Sequence, residues 1–260
     1  MRKWMCSVHS GSNMTRKNIA VIFVHGLFRP PSPLGSSTEY FRNLKTELAD
    51  LAISMYFPKL PSSESLEVRA KELTKVVEAV TADKIVLVAH SMGGLDCRYY
   101  AHMHPNDKRI KKIITIATPH WGSLLADWVM QGRSFLARVF RYKFGKAGQD
   151  LTISACEEFN KKVLDRDDIT YSSYAASRPN RELPFWLRWL ARRVGEESND
   201  GQVPVSSARW GEFSGVLHAD HFEVIGWNLG LSSKSKQRPF KHIDFYRRLV
   251  VTEIQNITGN

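Results

Sequence analysis

The chain has 260 residues, of which 43% are hydrophobic and 24% are charged, as is typical of a globular protein with one well-filled domain. Its 37 Lys and Arg residues exceed its 26 Asp and Glu residues, which gives a formal net charge of +11. This charge favours approach to anionic surfaces but does not choose between nucleic acid and acidic lipids. No apolar run is long enough to span a bilayer, which argues against a membrane-spanning protein.

The beginning of the chain and its cysteines point to a protein that is not exported. The first 17 residues contain no continuous apolar segment of the kind that a signal peptide requires. We interpret residues 1–17 as a flexible leader and expect a cytoplasmic or peripheral membrane location. Cys6, Cys97 and Cys156 match neither a complete disulfide set nor a metal-ligand spacing, so we expect three free thiols.

Short apolar runs alternate with helical patterns along most of the chain. Strands are predicted at 19–24, 52–57, 85–89, 113–117 and 169–175, and helices at 40–51, 66–80, 92–103 and 243–254. This alternation predicts an α/β fold with a mainly parallel sheet flanked by helices. It weakens between 122 and 198, a segment rich in Trp, Phe and Arg. We interpret that segment as a helical cap or lid inserted into a domain that spans 18–260.

A serine follows directly on the predicted strand at 85–89. Ser91 has Ala89 two residues before it and Gly93 two residues after it, close to the pattern G-x-S-x-G. Small residues at these positions allow a sharp turn from strand to helix, which exposes the serine hydroxyl above the sheet. The following helix would direct the positive end of its dipole at developing negative charge. The sequence therefore predicts Ser91 as a nucleophile.

A nucleophile that transfers acyl groups requires two preorganised N–H donors for the oxyanion of the tetrahedral intermediate. The residue directly after Ser91 is Met92, and its backbone N–H is one candidate. The first strand ends in His25-Gly26-Leu27, where the second donor is expected in a fold of this kind. We therefore predict an oxyanion hole formed by the backbone amides of Leu27 and Met92.

The general base should be a histidine that follows Ser91 in the chain. His218, His221 and His242 are the candidates that the residues alone leave open. The acid is predicted at Asp200, within a Ser-Asn-Asp-Gly turn that presents a carboxylate. The order serine, acid, histidine is the one expected when the nucleophile lies on a strand-to-helix turn.

These segments together resemble bacterial triacylglycerol lipases of the α/β-hydrolase superfamily. The resemblance rests on blocks in the family's order at 24–27, 89–94, 117–123, 199–201 with 206–207, and 220–223. It implies an α/β-hydrolase fold, and it assigns the acid to Asp200 and the base to His221 in preference to His218. It further implies a serine lipase or esterase that forms an acyl-enzyme on Ser91 and acts on lipid-like acyl esters.

Members of the family that the chain resembles often hold a structural calcium ion near the catalytic histidine, which would place one near His221. Glu223 stands at the family's carboxylate position two residues beyond the histidine, but Trp227 replaces the amide-bearing residue expected further on. Calcium prefers six or more oxygen ligands, and Glu223 alone is a weak candidate. We expect no organic cofactor and no bound metal.

The cap segment contains two stretches, 133–146 and 183–193, in which basic and aromatic residues alternate. Such helices favour anionic lipid surfaces, although a helix that only packs over the sheet has the same composition. Peripheral membrane contact through Arg188, Arg192 and Arg193 is therefore a hypothesis. No nucleic-acid-binding motif accompanies the charge, so we expect no nucleic acid partner.

Two alternatives to a lipase or esterase stay open. A (lyso)phospholipase or thioesterase would use the same three residues with another head group. A non-catalytic membrane-binding or partner-binding protein would share only the fold, which does not by itself decide function.

Overall fold

The computed structural model describes residues 18–27, 39–228 and 239–259. The predicted leader at 1–17, with Cys6, lies outside these residues. Six parallel strands form one sheet in the order β2-β1-β3-β4-β5-β6. They are β1 (Ile19–Val24), β2 (Ser54–Tyr56), β3 (Lys84–His90), β4 (Ile110–Ile116), β5 (Thr170–Ala176) and β6 (Glu212–Leu217).

The helices lie before, between and after these strands. They are α1 (Leu44–Glu47), α2 (Leu66–Ala79), α3 (Gly93–Met103), α4 (Leu124–Gln131), α5 (Phe135–Asp150), α6 (Ile153–Lys162), α7 (Phe185–Val194) and α8 (His242–Thr258). Two apolar clusters cover the opposite faces of the sheet, one against α1 and α8 and the other against α2 and α3. The predicted α/β fold with a parallel sheet is therefore confirmed.

The central strands are buried along their whole length. All six residues of β1 are buried, and β3 is buried from its second residue onward. Val24 at the end of β1 is in register with Ala89 near the end of β3. The loops that leave these two strands therefore emerge side by side at the carboxyl edge of the sheet, where sites of parallel sheets form.

The structure differs from the predicted elements at three places. The helix predicted at 40–51 is reduced to α1 and a 3₁₀ turn, because Asn43 and Ala52 adopt positive φ at its two ends. The strand β6 was not predicted, since every second residue of this edge strand is exposed and Gly215 interrupts its pattern. The segment 122–198 contains β5, a strand of the sheet, so its helices form two groups, α4 to α6 and α7, rather than one insertion.

Two further properties concern the helices and thiols. No helix within the described ranges is long and apolar enough to cross a membrane. Cys97 and Cys156 are buried free thiols, and burial raises the pKa of both.

A fully buried ion pair connects α2 and α3 to the loop after β1. Arg69 on α2 donates through Nε and Nη2 to the carboxylate of Asp96 on α3, with a shortest distance of 2.6 Å. The same guanidinium donates to the carbonyl oxygens of His25, at 2.7 Å, and Pro61, at 2.9 Å. Each buried charge is thus compensated, and the pair fixes the backbone directly before Gly26.

We predict that Asp96→Ala lowers the free energy of unfolding by roughly 3–5 kcal/mol, because it leaves the Arg69 guanidinium buried without its counter-charge. Urea denaturation followed by circular dichroism measures this change. The double variant Arg69→Met/Asp96→Leu removes both charges and should recover part of the loss. A cost below about 1 kcal/mol for Asp96→Ala would contradict this assignment, since exposed pairs contribute that little.

Candidate active site

Ser91 lies between β3 and α3 with a backbone φ of 56°, in the left-handed region that residues other than glycine rarely adopt. Its N–H donates to the carbonyl of Ile116 at 2.9 Å, and its carbonyl accepts from Thr118 Oγ1 at 2.7 Å. The neighbouring strand β4 and the residues after it therefore hold this turn from both sides. The strand-to-helix turn has the geometry that the sequence predicted for residue 91.

The loop after β1 approaches the serine closely. A methyl group built on Gly26 would lie 2.6 Å from Ser91 Cβ and 3.1 Å from Ser91 Oγ, closer than real side chains pack. A methyl group on Gly93 would lie 2.6 Å from the carbonyl oxygen of Val24. Only glycine at both positions allows β1 and the first turn of α3 to meet at this distance.

The amides of Leu27 and Met92 lie on the two segments that meet at Ser91. Leu27 is buried and lines the same cavity as Ser91. Met92 is the residue before α3, so its N–H lies at the positive end of the helix dipole. Within the described part of the chain, neither N–H donates to an internal acceptor. Both donors are thus available to an oxygen atom beside the serine.

His221 and Asp200 complete a hydrogen-bonded series with the serine. The Nε2 atom of His221 lies 3.1 Å from Ser91 Oγ, and its Nδ1 atom lies 2.7 Å from Asp200 Oδ2. A second bond, from the His221 backbone N–H to the Asp200 carbonyl at 3.0 Å, fixes the two loops relative to each other. The carboxylate therefore selects the tautomer in which Nδ1 carries the proton and Nε2 faces the hydroxyl as an acceptor.

The turn that carries Asp200 fixes its carboxylate. The second oxygen, Oδ1, accepts from the backbone N–H groups of Gln202, at 2.9 Å, and Val203, at 2.8 Å. Gly201 has φ of 99° and packs against Leu187 of α7 with no space for a side chain. These contacts leave the fully buried carboxylate one free direction, toward the imidazole.

The turn that carries His221 is stabilised by a capping box. This box was not predicted, although the D-x-x-E pattern from Asp220 to Glu223 is a known signature of it. Asp220 Oδ1 accepts from the N–H groups of Phe222, at 2.8 Å, and Glu223, at 2.9 Å, while Glu223 Oε2 accepts from the N–H of Asp220 at 3.0 Å. The Glu223 carboxylate is further held by two donors of the buried Arg178 guanidinium. His221 lies inside this box, so its backbone is fixed on both sides.

A buried pair behind His221 was also missed, because Tyr40 is far from the other site residues in sequence. The Tyr40 hydroxyl lies 2.8 Å from His90 Nδ1, and the His90 and His221 ring centroids are 4.6 Å apart. Burial raises the pKa of Tyr40 and, together with the nearby His221, lowers the pKa of His90 well below 6.5. The phenol is therefore the donor and His90 is neutral, and His90 Nε2 is buried without a hydrogen-bond partner among the described residues.

The other two candidate histidines lie away from the serine. His218 is more than half exposed and pairs with Glu182 at 3.2 Å. His242 begins α8, where its Nε2 lies 2.9 Å from the carbonyl oxygen of Arg42. Of the three histidines that the residues alone left open, the structure brings only His221 to Ser91.

Glu223, the predicted weak calcium candidate, is buried beside Arg178, and both of its oxygens accept hydrogen bonds from that guanidinium. A hard cation at this carboxylate would have to displace a resident positive charge. No cluster of three or more His, Cys, Asp or Glu side chains with metal-binding geometry occurs within residues 18–27, 39–228 and 239–259.

An apolar cavity of about 450 Å³ opens beside Ser91. Leu27 and Phe222 line it next to the serine, and residues of α4, α5 and α7 form most of its remaining wall. These residues are Leu125, Ala126, Trp128, Val129, Phe140, Phe144, Gly148, Trp186 and Leu190. A cavity of this volume with an almost wholly apolar lining suits an extended hydrocarbon group.

A parallel sheet with a serine at a strand-to-helix turn, and a histidine–aspartate pair beside it, defines the α/β-hydrolase class of fold. A family model described as alpha/beta hydrolase fold matches residues 19–240. The chain belongs to this family. The predicted resemblance to lipases of the α/β-hydrolase superfamily is thereby confirmed at the level of the family.

Curated relatives carry the names of lipases. The chain is 33% identical over 206 residues to Triacylglycerol lipase 2 of Saccharomyces cerevisiae, an alignment that covers 73% of this chain and 63% of the yeast protein. It is 32% identical over 111 residues to a triacylglycerol lipase of Pseudomonas fragi, covering 41% and 36% of the two chains. The chain thus spans less than two thirds of the length of these relatives.

Solved structures share the fold. A metagenomic carboxyl esterase superposes with a TM-score of 0.76 at 19% identity, covering 98% of this chain and 79% of its own. A Bacillus licheniformis lipase in its mature form superposes with a TM-score of 0.62 at 23% identity, covering 82% and 89%. At these identities the likeness concerns the fold alone.

The capping box generates a prediction about pH. Burial, and then the nearby Glu223 carboxylate, raises the pKa of Asp220 to about 7, whereas an aspartate in the unfolded chain titrates near 3.9. Between about pH 4 and pH 7 the folded protein therefore holds a proton that the unfolded chain has released. The stability that this group contributes is present below that window and is lost as the pH rises through it.

Asp220→Asn removes the ionisation and keeps an oxygen at the capping position. We expect the free energy of unfolding of this variant, minus that of wild type, to increase from pH 4.5 to pH 8, because only wild type loses the stability of this group over that range. Urea denaturation at the two pH values measures the difference. Glu157→Gln, at an exposed position of α6, serves as the control. A difference between Asp220→Asn and wild type that is the same at both pH values would contradict the raised pKa.

Proposed function

We propose that the chain is a serine hydrolase of carboxylic esters that works through an acyl-enzyme on Ser91. The observation that carries the proposal is the series Ser91 Oγ, His221 and Asp200, with contacts of 3.1 and 2.7 Å, beside two amides that donate to no acceptor among the described residues. Nucleophile, base, orienting carboxylate and oxyanion donors are the four parts that acyl transfer requires. The lipase names of the curated relatives agree with this activity.

In the proposed reaction Ser91 Oγ attacks the ester carbonyl carbon while His221 Nε2 takes the hydroxyl proton. The carbonyl oxygen gains negative charge and accepts from the N–H groups of Leu27 and Met92. As the tetrahedral intermediate collapses, His221 returns the proton to the departing alcohol and the acyl group stays on Ser91. A water molecule then repeats the sequence with His221 as base, which releases the carboxylic acid and restores the serine.

The surroundings of these residues support their proposed roles. Asp200 is fully buried and already accepts two backbone N–H bonds through Oδ1, so its charge is stabilised where it can compensate an imidazolium on His221. Met92 at the start of α3 adds the helix dipole to the oxyanion site. The proposed donors are backbone N–H groups, and donors that the fold holds before substrate binds stabilise a developing charge efficiently.

The cavity beside Ser91 supports a substrate with an apolar acyl group. Its wall is almost entirely aromatic and aliphatic, with Trp128, Phe140 and Phe144 among the larger side chains. A hydrocarbon chain gains free energy in such a lining in proportion to the apolar area it buries. The proposed substrate is therefore a lipid-like acyl ester, and a phospholipid or a thioester with the same acyl group would use the same cavity.

The proposed mechanism requires no metal. We propose that Glu223 serves the protein through its ion pair with Arg178, which fixes the turn around His221, rather than as a calcium ligand. Addition of a calcium chelator should therefore leave esterase activity unchanged.

We predict that wild type hydrolyses p-nitrophenyl esters and prefers octanoate or palmitate to acetate, because only long acyl groups fill the cavity. Ser91→Ala should lower kcat/KM by at least about 1,000-fold, since the nucleophile acts as a unit with His221. Stopped assays across this series, with circular dichroism of the variant as the folding control, measure both effects.

Covalent labelling distinguishes the possible outcomes of that assay. A fluorophosphonate should modify wild type and fail to modify Ser91→Ala. A preference for short acyl esters would contradict a lipid-like substrate while keeping the nucleophile. Neither labelling nor turnover by folded wild type, with or without detergent, would favour a non-catalytic binding protein built on this fold.

A second prediction concerns the cavity wall. Ala126→Phe on α4 places a ring in the cavity, so activity on the palmitate ester should fall by about tenfold or more, while activity on the acetate ester stays within about twofold. Leu164→Phe, at an exposed position outside the cavity, is the matched control and should leave the ratio unchanged. Equal losses on both esters with Ala126→Phe would show that the acyl chain does not occupy this space.

A further inference from the structure

The first part of α5 exposes apolar side chains to solvent on one face. Phe135, Val139 and Tyr142 follow the spacing i, i+4, i+7 of one helix face and are 78%, 47% and 95% exposed. Leu136, beside them, is 47% exposed. We call these four residues the α5 outer face. A surface helix normally carries polar residues on the side that faces water, whereas this helix exposes apolar residues there as well.

The α5 outer face and the side of α5 that packs against the protein consist of different residues. The side of α5 that meets the protein holds Ala137, Phe144 and Ala147, which are buried, and Phe140, which lines the cavity beside Ser91. The helix therefore has apolar residues on two sides, of which the fold uses one. Phe144 adopts a non-helical backbone conformation, which separates the exposed turns from the rest of α5.

The charges that this part of α5 itself carries are all positive. From Arg133 to the end of α5 no acidic residue occurs before Asp150. Arg133, Arg138 and Lys143 are exposed, and none of them forms an ion pair with any residue in the described ranges. Lys143 also lies 5.4 Å from the centroid of the Phe144 ring. These three residues form a rim of cations without ion pairs to described residues around an exposed apolar surface, the arrangement that suits an interface between hydrocarbon and anionic phosphate.

Four other basic residues of the two cap stretches have partners inside the protein, whereas Arg192 on α7 is exposed. Arg141 donates to the last carbonyls of α4, and Lys146 pairs with Glu64. On α7, Arg188 donates to two backbone carbonyls, and the Arg193 guanidinium stacks on the ring of Trp189 at 3.4 Å. Of the three arginines expected to meet lipid phosphate, Arg188 and Arg193 are thus engaged internally, and Arg192 is exposed without an ion pair to any described residue. The larger group of such cations lies on α5.

We propose that the α5 outer face docks the protein on the surface of a bilayer that contains anionic phospholipid. Phe135, Val139 and Tyr142 enter the boundary between head groups and acyl chains, while the three cations bind lipid phosphates. The proposal does not depend on the chemistry of Ser91. It places the opposite side of the same helix, with Phe140, at the cavity beside the serine.

Sedimentation with vesicles tests the proposal on the full chain. Wild type should bind phosphatidylcholine vesicles that contain about one third phosphatidylglycerol, should bind pure phosphatidylcholine vesicles weakly, and should be released as salt rises toward about 0.5 M. Arg133→Gln/Arg138→Gln/Lys143→Gln should weaken binding to the anionic vesicles on the order of 100-fold. Phe135→Ser/Val139→Ser/Tyr142→Ser should abolish it, although these exposed positions leave the fold intact.

A charge-matched control decides whether the effect belongs to this face. Lys45→Gln/Lys59→Gln/Lys162→Gln removes the same charge from exposed positions elsewhere and should weaken binding by less than about threefold if the α5 outer face carries the interaction. An equal loss in this control, or no binding by wild type, would overturn the proposal. Self-association of wild type that the triple Ser variant abolishes, without vesicle binding, would overturn it in favour of a contact with a second copy.

Discussion

The left-handed backbone of Ser91 is the constraint on which the site depends. A residue with a Cβ atom in this conformation costs roughly 1–2 kcal/mol relative to its ordinary backbone conformation. The bonds to Ile116 and Thr118 on either side of the turn offset that cost. Because Gly26 and Gly93 give the turn its space, β1 and α3 can approach the serine without a clash. The position of the hydroxyl is thus set by three segments of backbone, the loop after β1, the start of α3 and residues 116–118, and not by its own rotamer alone.

Each loop that meets Ser91 is fixed locally before it meets the others. Arg69 holds the carbonyl of His25, a turn of backbone N–H groups holds Asp200, and a capping box holds the backbone around His221. Few bonds then connect the loops: one joins His221 to Ser91, and two join His221 to Asp200. Residues more than one hundred positions apart are thus held by local contacts, the kind of preorganisation that electrostatic stabilisation of a developing charge demands.

The sequence predicted those features that are local in the chain. The serine turn depends on residues within three positions of Ser91, and the Asp200 turn on Asn199 and Gly201, so pattern and spacing were sufficient for both. The pair of Tyr40 and His90 joins residues 50 positions apart through burial, which no spacing encodes. The edge strand β6 was missed because only one of its faces packs on the protein, and Gly215 weakens its pattern further.

The two basic, aromatic stretches show why composition alone could not distinguish a helix that only packs within the cap from a helix that contacts a membrane. In α7, Trp189 and Arg193 are adjacent along one face, so the cation binds the ring of its own helix and leaves the solvent. In α5, Arg138 and Lys143 flank an outward apolar face. Neither forms an ion pair with a described residue, and the only ring contact of the two within the described chain is that of Lys143 with Phe144, at 5.4 Å. Both helices have the same residue types, and the difference lies in which of their side chains contact one another or the rest of the protein. Because the cavity fixes Phe140 inward, the spacing of α5 forces Phe135, Val139 and Tyr142 outward.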